Sequence, residues 1–196
     1  MKLPEPNLTG HVTLEEALLR RRSIREYLDA PLSIPEISQL LWSAYGITSP
    51  DGYRTAPSAM ALYPLEIDLV AGCVEGMNTG VYRYSPAGHQ LHESLEGDLR
   101  EAVSNTTFDQ PFVAQGAGIL VFSAVYERTC AKFGEEGRKL VHMDLGHAAQ
   151  NVHLQAVSLR IGTVVVAAFR PTEVKQVLSL GADEEPLYLM PLGREM

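Results

Sequence analysis

The 196-residue sequence is short of several things, and each shortage removes a class of function. It has two cysteines, Cys73 and Cys130, which share no CxxC or other metal-ligand spacing, and two thiols make a poor disulfide framework. Both read as small buried side chains of a reducing compartment. No apolar run approaches the ~20 residues of a membrane-spanning helix. The opening MKLPEPNLTG has no apolar segment of the secretory kind, so a cytoplasmic location is expected. Basic charge is scarce as well: 16 Lys and Arg against 24 Asp and Glu leave a net charge of −8. A surface of that sign displaces no counterions from nucleic acid and is not drawn to anionic lipid, so neither partner is expected. Glycine cradles for phosphate are missing. There is no Walker sequence, and Gly116-Ala117-Gly118 is a lone GxG that precedes an apolar run where a dinucleotide fingerprint follows one. No Ser or Cys stands in a nucleophile elbow and no carboxylate pair is suggested by spacing, so hydrolase chemistry lacks its parts.

What is present has the proportions of a globular domain, 45% hydrophobic and 20% charged, and the length suits one domain over residues 1–196. Thr13-Leu14-Glu15-Glu16 and Ser33-Ile34-Pro35-Glu36 are capping boxes, each followed by apolar residues at helical spacing. Residues 65–70 alternate as a half-buried strand does, and 81–84 and 89–92 form short strands about a Ser-Pro-Ala-Gly turn. A weaker helix is expected at about 97–105. Residues 118–125 are almost continuously apolar, as in a central strand buried on both faces. The longest helix is expected over about 137–159. Its apolar positions, Met143 among them, cover more than one stripe, so it is buried in the core or against another subunit. Residues 163–168 predict a further strand, Pro171 opens a short helix, and 186–190 make a last strand. The order predicts an α+β domain with a mostly antiparallel sheet flanked by helices.

The densest chemical signal is Arg21-Arg22-Ser23-Ile24-Arg25, three guanidiniums and a hydroxyl in an acidic chain. Arginine forks match phosphate bidentately, and a continued helix puts Arg21 and Arg25 on one face. The alternative is a set of solvated arginines complementing a helix C-terminus. His142, His147 and His153 share the long helix, but His142 and His153 stand about 16 Å apart along it and His142 and His147 point away from each other, so no metal site is expected.

Taken together, the segments resemble the nitroreductase superfamily. Arg-Arg-Ser-x-Arg after an N-terminal helix is similar to its FMN-phosphate motif. Arg54-Thr55-Ala56-Pro57-Ser58-Ala59-Met60-Ala61-Leu62-Tyr63-Pro64-Leu65-Glu66 is similar to the Pro-Ser-Ala-Gly-Ala-Leu-Tyr-Pro block of SagB-type dehydrogenases. Asp144 to Asn151 is similar to their long dimer helix, and Glu185 to Arg194 to their closing strand and glycine.

The resemblance implies a nitroreductase-like fold in an intertwined homodimer with FMN at the subunit interface. Carried over by position, Arg21, Arg22, Ser23 and Arg25 meet the phosphate, ribityl chain and pyrimidine edge, Arg194 reaches the phosphate from the other end of the chain with Gly193 beside it as a further cofactor contact, and Pro57, Ser58 and Ala59 line the flavin from the partner. Ala167 and Ala168 fall where relatives present backbone N–H groups to flavin N5 and O4. The implied activity is two-electron transfer through N5, with NAD(P)H as donor and a nitroaromatic or quinone-like acceptor. Two alternatives stand beside it: an FMN-dependent dehydrogenase of a peptide azoline or other biosynthetic intermediate with oxygen as acceptor, and a non-catalytic flavin-binding protein. Azoline oxidases of the SagB type carry a Lys-Tyr pair where this chain has Lys132-Phe133, which leaves Lys132 as the candidate base without its phenolic neighbour.

Overall fold

The computed structural model describes residues 1–196. In chain order it contains α1 (Leu14–Arg20), β1 (Leu32–Ser33), α2 (Ile34–Tyr45), β2 (Leu65–Ala71), β3 (Val74–Glu75), β4 (Gly80–Ser85), β5 (Gln90–Glu96), α3 (Arg100–Ser104), α4 (Phe112–Gln115), β6 (Gly118–Val125), α5 (Glu127–Phe133), α6 (Glu136–Leu159), β7 (Ile161–Thr163), α7 (Pro171–Val177) and β8 (Glu184–Arg194). Six strands form one sheet in the order β5-β4-β2-β6-β8-β7, every pairing antiparallel. β1 and β3 form a small parallel pair apart from it. This is the expected α+β architecture, with helices on both faces of a mostly antiparallel sheet.

β6 is buried along its whole length because it lies between two layers. Leu120, Phe122 and Ala124 join the core beneath α2 and α6, together with Ile67, Leu69, Leu40, Leu41, Leu145 and Val152. Ile119 and Val121 face the opposite core, with Val70, Val81, Leu189 and residues of α3, α4 and α7. Alternation in β2 and β6 thus feeds both layers.

Both helix starts behave as the sequence predicts. The Thr13 hydroxyl accepts from Glu16 N–H at 3.2 Å, and the Glu36 carboxylate accepts from Ser33 N–H and its hydroxyl, both at 2.8 Å.

The structure decides one open point of the sequence reading, corrects one strand and qualifies one helix. α1 does not carry through the arginine cluster: Arg21 caps it at φ −48°, ψ 124°, and Arg21 to Tyr27 form a strap that belongs to no helix or strand. The strand expected over 163–168 is Ile161–Thr163 instead, and beyond it only Val166 touches β8, by a bridge to Leu189. α6 buries one stripe, through Val141, Leu145, Ala148, Val152 and Ala156, while Met143 stands 47% exposed, so the chain's own core does not account for every apolar position of this helix.

Candidate active site

The arginine strap is fixed by the β7–β8 hairpin beneath it. Ile24 N–H donates to Thr163 O and Leu28 N–H to Arg194 O, each at 3.0 Å. Gly162 and Gly193 are cross-strand partners, and the space their side chains would fill holds strap residues. A β-carbon on Gly162 would come within 2.6 Å of Ile24 Cγ2, and one on Gly193 within 2.5 Å of Tyr27 Cγ. With Ile24 and Tyr27 turned inward, Arg22, Ser23 and Arg25 are exposed and Arg21 is half-buried.

The arginines divide by role. Arg22 folds back so that Nη1 donates to Leu19 O at 3.0 Å and Arg21 O at 2.7 Å, satisfying carbonyls at the end of α1. It alone does what the helix-end alternative assigned to the whole cluster. Arg21 and Arg25 are absent from the chain's ion pairs, and the Arg25 guanidinium lies 5.7 Å from the Phe112 ring centroid. His153 of α6 lies beside Arg21. Burial, helped by that cation, pushes its pKa down to about 4, and its Nδ1 has no partner.

Beyond β7 the chain leaves the sheet and exposes Ala167 and Ala168. Neither amide N–H finds an acceptor within the chain. The Ala168 carbonyl accepts from Phe108 N–H at 3.3 Å and Gln110 Nε2 at 2.9 Å. Gln110 immediately precedes the Pro111–Phe112 start of α4, the same turn over which Arg25 lies. The start of α4 therefore links the arginine strap to the Ala167-Ala168 segment.

Other site residues go elsewhere. Arg194 places Nη1 and Nη2 on Glu36 at 2.6 and 3.0 Å, with Nη2 also reaching Pro31 O at 3.2 Å. Burial works to raise the Glu36 pKa, but the bonds from Arg194 and Ser33 together hold it below the usual value. The Arg194 fork is thus already filled, and Gly193 is covered by Tyr27. Ser58 accepts from Tyr63 N–H at 3.0 Å. Asp144 of α6 lies near Ser58 and Ala59, and burial raises its pKa against their pull, with Oδ2 left without a partner. Asp144 and His153 are about 14 Å apart along α6. Pro57, Ser58 and Ala59 therefore lie away from the arginine strap of their own chain.

Lys132 sits exposed in the last turn of α5, with Phe133 beside it 37% exposed. Nearby, the Tyr126 hydroxyl is hydrogen-bonded to His142 Nε2 at 2.5 Å under the stacked Arg138 guanidinium. Sequence reasoning passed over this pair, and also over Arg54, which stands between the rings of Tyr45 and Tyr63. No spacing in the chain announces either contact.

Comparison with known proteins agrees with this architecture. A family model described as the Nitroreductase family matches residues 18–194. A candidate nitroreductase of Methanocaldococcus jannaschii is 41% identical over 196 residues, covering 100% of this chain and 98% of that protein. The microcin B17-processing protein McbC of Escherichia coli is 27% identical over 165 residues, which is 76% of this chain and 57% of McbC. The crystal structure of a candidate nitroreductase from Ralstonia eutropha superposes with a TM-score of 0.89 at 30% identity, covering 100% of this chain and 89% of that one. The matched family model spans nearly the whole chain and the archaeal relative is similar end to end: the protein belongs to the nitroreductase family, and is an oxidoreductase of that family.

Proposed function

We propose that the protein is an FMN-dependent oxidoreductase, active as a homodimer, that takes a hydride from NAD(P)H and reduces a small acceptor of the nitroaromatic or quinone type. The observation that carries this is the linkage of two unsatisfied donor sets. Arg21, Ser23 and Arg25 offer charge and hydroxyl to a phosphate and its ribityl chain, and the two adjacent amides of the exposed Ala167-Ala168 segment, linked to the strap through the start of α4, have no acceptor within the chain. That donor set fits FMN, and it does so with side chains in place of a glycine cradle. Bound there, the flavin supplies two-electron transfer through N5. Ala167 and Ala168 donate to the N5/O4 edge, and their small side chains let the backbone come close. Arg25 supplies the cation that stabilises negative charge on the pyrimidine side. Gly193 and Arg194 act by bracing: Gly193 seats Tyr27, and Arg194, held by Glu36, anchors the strand end beside Leu28.

Two features support a second subunit. Met143, Gly146, His147 and Gln150 repeat at helical spacing on the exposed side of α6, and a β-carbon on Gly146 would meet nothing within 4 Å. Glycine mid-helix costs about 1 kcal/mol against alanine, and this chain offers no packing reason for it. Close approach of a second α6 supplies one. Leu14, Leu18 and Leu19 of α1, exposed by 61%, 53% and 74%, need cover as well. In such a dimer Pro57, Ser58 and Ala59 complete the partner's flavin site.

A second proposal, favoured by the McbC likeness, is a SagB-type dehydrogenase of a peptide azoline with Lys132 as base. Phe133 and the exposure of Lys132 weigh against it, since a lysine base needs burial to lose its proton.

Anaerobic mixing of the FMN-loaded protein with NADH or NADPH tests the choice. Rapid loss of flavin absorbance is expected with at least one nucleotide. A protein that takes up no FMN would overturn the flavin assignment. Bound flavin that neither nucleotide bleaches would overturn the NAD(P)H-fed activity and leave the azoline substrate to be tried as reductant.

A further inference from the structure

Arg54 shares with Arg21 a half-buried side chain outside every ion pair, and differs from it in being packed between two aromatic rings. Arg83, Arg100 and Arg194, each with most of its side chain covered, have their forks on carboxylates: Asp68 and Glu184, Asp98, and Glu36. The Arg54 guanidinium lies 4.3 Å from the ring centroids of both Tyr45 and Tyr63, which stand edge to face with each other at 5.8 Å. Two aromatic faces hold a cation in place without neutralising it. Its backbone is pinned as well, since Arg54 N–H donates to the Tyr63 hydroxyl at 3.2 Å. Nε is buried with no acceptor, and no side-chain nitrogen of Arg54 enters a salt bridge. Glu66 is near enough to be felt electrostatically, but its carboxylate is occupied by Arg128 and Arg83. Burial draws the Arg54 pKa down against the pull of the tyrosines. A half-buried guanidinium left in this state lacks an anion.

The place where it stands is open. Arg54 lines a depression of about 480 Å³ with Tyr53, Pro57, Ser58 and Met60. Pro57 and Ser58 are the residues assigned above to the partner's flavin.

We propose that Arg54 is the substrate-selecting residue of the acceptor site, and that the preferred acceptor is a small molecule carrying a carboxylate, which the Arg54 fork receives in this depression. The placement beside the acceptor rests on the flavin assignment; the anion-binding property of Arg54 does not. An isolated carboxylate-guanidinium contact of this kind is worth roughly ten- to a hundredfold in affinity.

The test compares 4-nitrobenzoate with 4-nitrobenzamide, equal in shape and different in charge, in the wild type, R54M and R54K. Isothermal titration reads binding with and without FMN, and steady-state kinetics read KM and kcat separately. The wild type is expected to bind the acid at least tenfold more tightly than the amide, with the advantage shrinking as salt is added. In R54M the acid-to-amide ratio is expected to fall by roughly ten- to a hundredfold, chiefly in KM, and R54K to keep part of it. Equal affinity for acid and amide in the wild type overturns the proposal, and that comparison stands even if R54M does not fold. An unchanged ratio in folded R54M overturns it too, as does loss of FMN binding in R54M, which would give the guanidinium to the flavin. Preference for the acid in a protein that takes up no FMN would uphold Arg54 while removing the flavin assignment.

Discussion

The side chain that Gly193 lacks is supplied by Tyr27. A β-carbon on Gly193 would stand 2.5 Å from Tyr27 Cγ, and the Tyr27 hydroxyl donates to Ile24 O at 2.9 Å, closing the strap on itself. The arginine strap therefore has its position because two glycines of the terminal hairpin give up volume to it. Gly193→Ala should displace the ring and cost about 1–3 kcal/mol by overpacking. Denaturant unfolding checks this, and the variant should also bind FMN more weakly. Wild-type stability in Gly193→Ala would mean that Tyr27 is not seated as described.

The strap's free cations make a separable prediction. Arg21→Ala and Arg25→Ala should each weaken FMN binding by roughly ten- to a hundredfold, the scale of one charge-assisted hydrogen bond, and flatten its salt dependence. Arg22 is engaged with the end of α1, so Arg22→Ala should act more on stability than on FMN. Fluorescence titration of FMN at two salt concentrations distinguishes the three.

Two buried groups titrate in opposite senses. Asp68, 1% exposed with Oδ2 unpartnered, has its pKa pushed up to about 6 by burial against the pull of Arg83. Between about pH 4 and 6 the folded state keeps a proton that the unfolded state has lost, so stability falls as pH rises through that window. His153 is the reverse. Its folded pKa lies near 4 against 6.5 unfolded, so its contribution is complete above 6.5 and is lost as pH falls toward 4. Each effect is on the order of 3 kcal/mol, and in the wild type they largely cancel. Asp68→Asn should leave a stability that climbs with pH over this range, and His153→Gln one that declines. Urea unfolding from pH 4 to 8 reads both, and identical profiles in all three proteins would contradict the assignment.

Met60, Ala61 and Tyr63 all have positive φ, at 53°, 53° and 48°, in the loop that carries Pro57 and Ser58. Side chains resist this conformation and glycine does not. Met60 is 64% exposed and stands where the similar SagB-type block has glycine, so Met60→Gly should stabilise the protein by about 0.5–1 kcal/mol. Thermal unfolding gives the sign directly.

What was legible in the sequence was what local chemistry dictates. Thr13 and Ser33 announced helix starts because the capping residues lie within one turn. Residues 118–125 announced a central strand because burial on both faces leaves nowhere for a polar side chain. Whether the helix continues through Arg21 to Arg25 was left open by the sequence, because those residues are compatible with one; what holds them outside α1 is Thr163, Gly162, Gly193 and Arg194, more than 130 residues away in sequence. Residues 164–168 read as strand on apolarity alone, yet Val164 and Val166 join the α7-side core while Val165 packs against the core beneath α2 and α6, and only Val166 bridges to Leu189. Nothing local in the sequence marks the setting of Arg54, since the rings that cage it come from α2 and from the turn before β2.

The central claim is a flavin site shared between two chains, and mixed dimers test it most directly. A strap variant, Arg21→Ala/Arg25→Ala, and a loop variant, Pro57→Asp/Ser58→Asp, should each fail to hold FMN as homodimers. Exchanged with each other, they should regain it, because every heterodimer has one site with an intact strap and an intact loop. Recovered FMN at one site per heterodimer is the predicted result. A mixture that binds no more FMN than its parents, with subunit exchange shown to have occurred, would contradict the shared site.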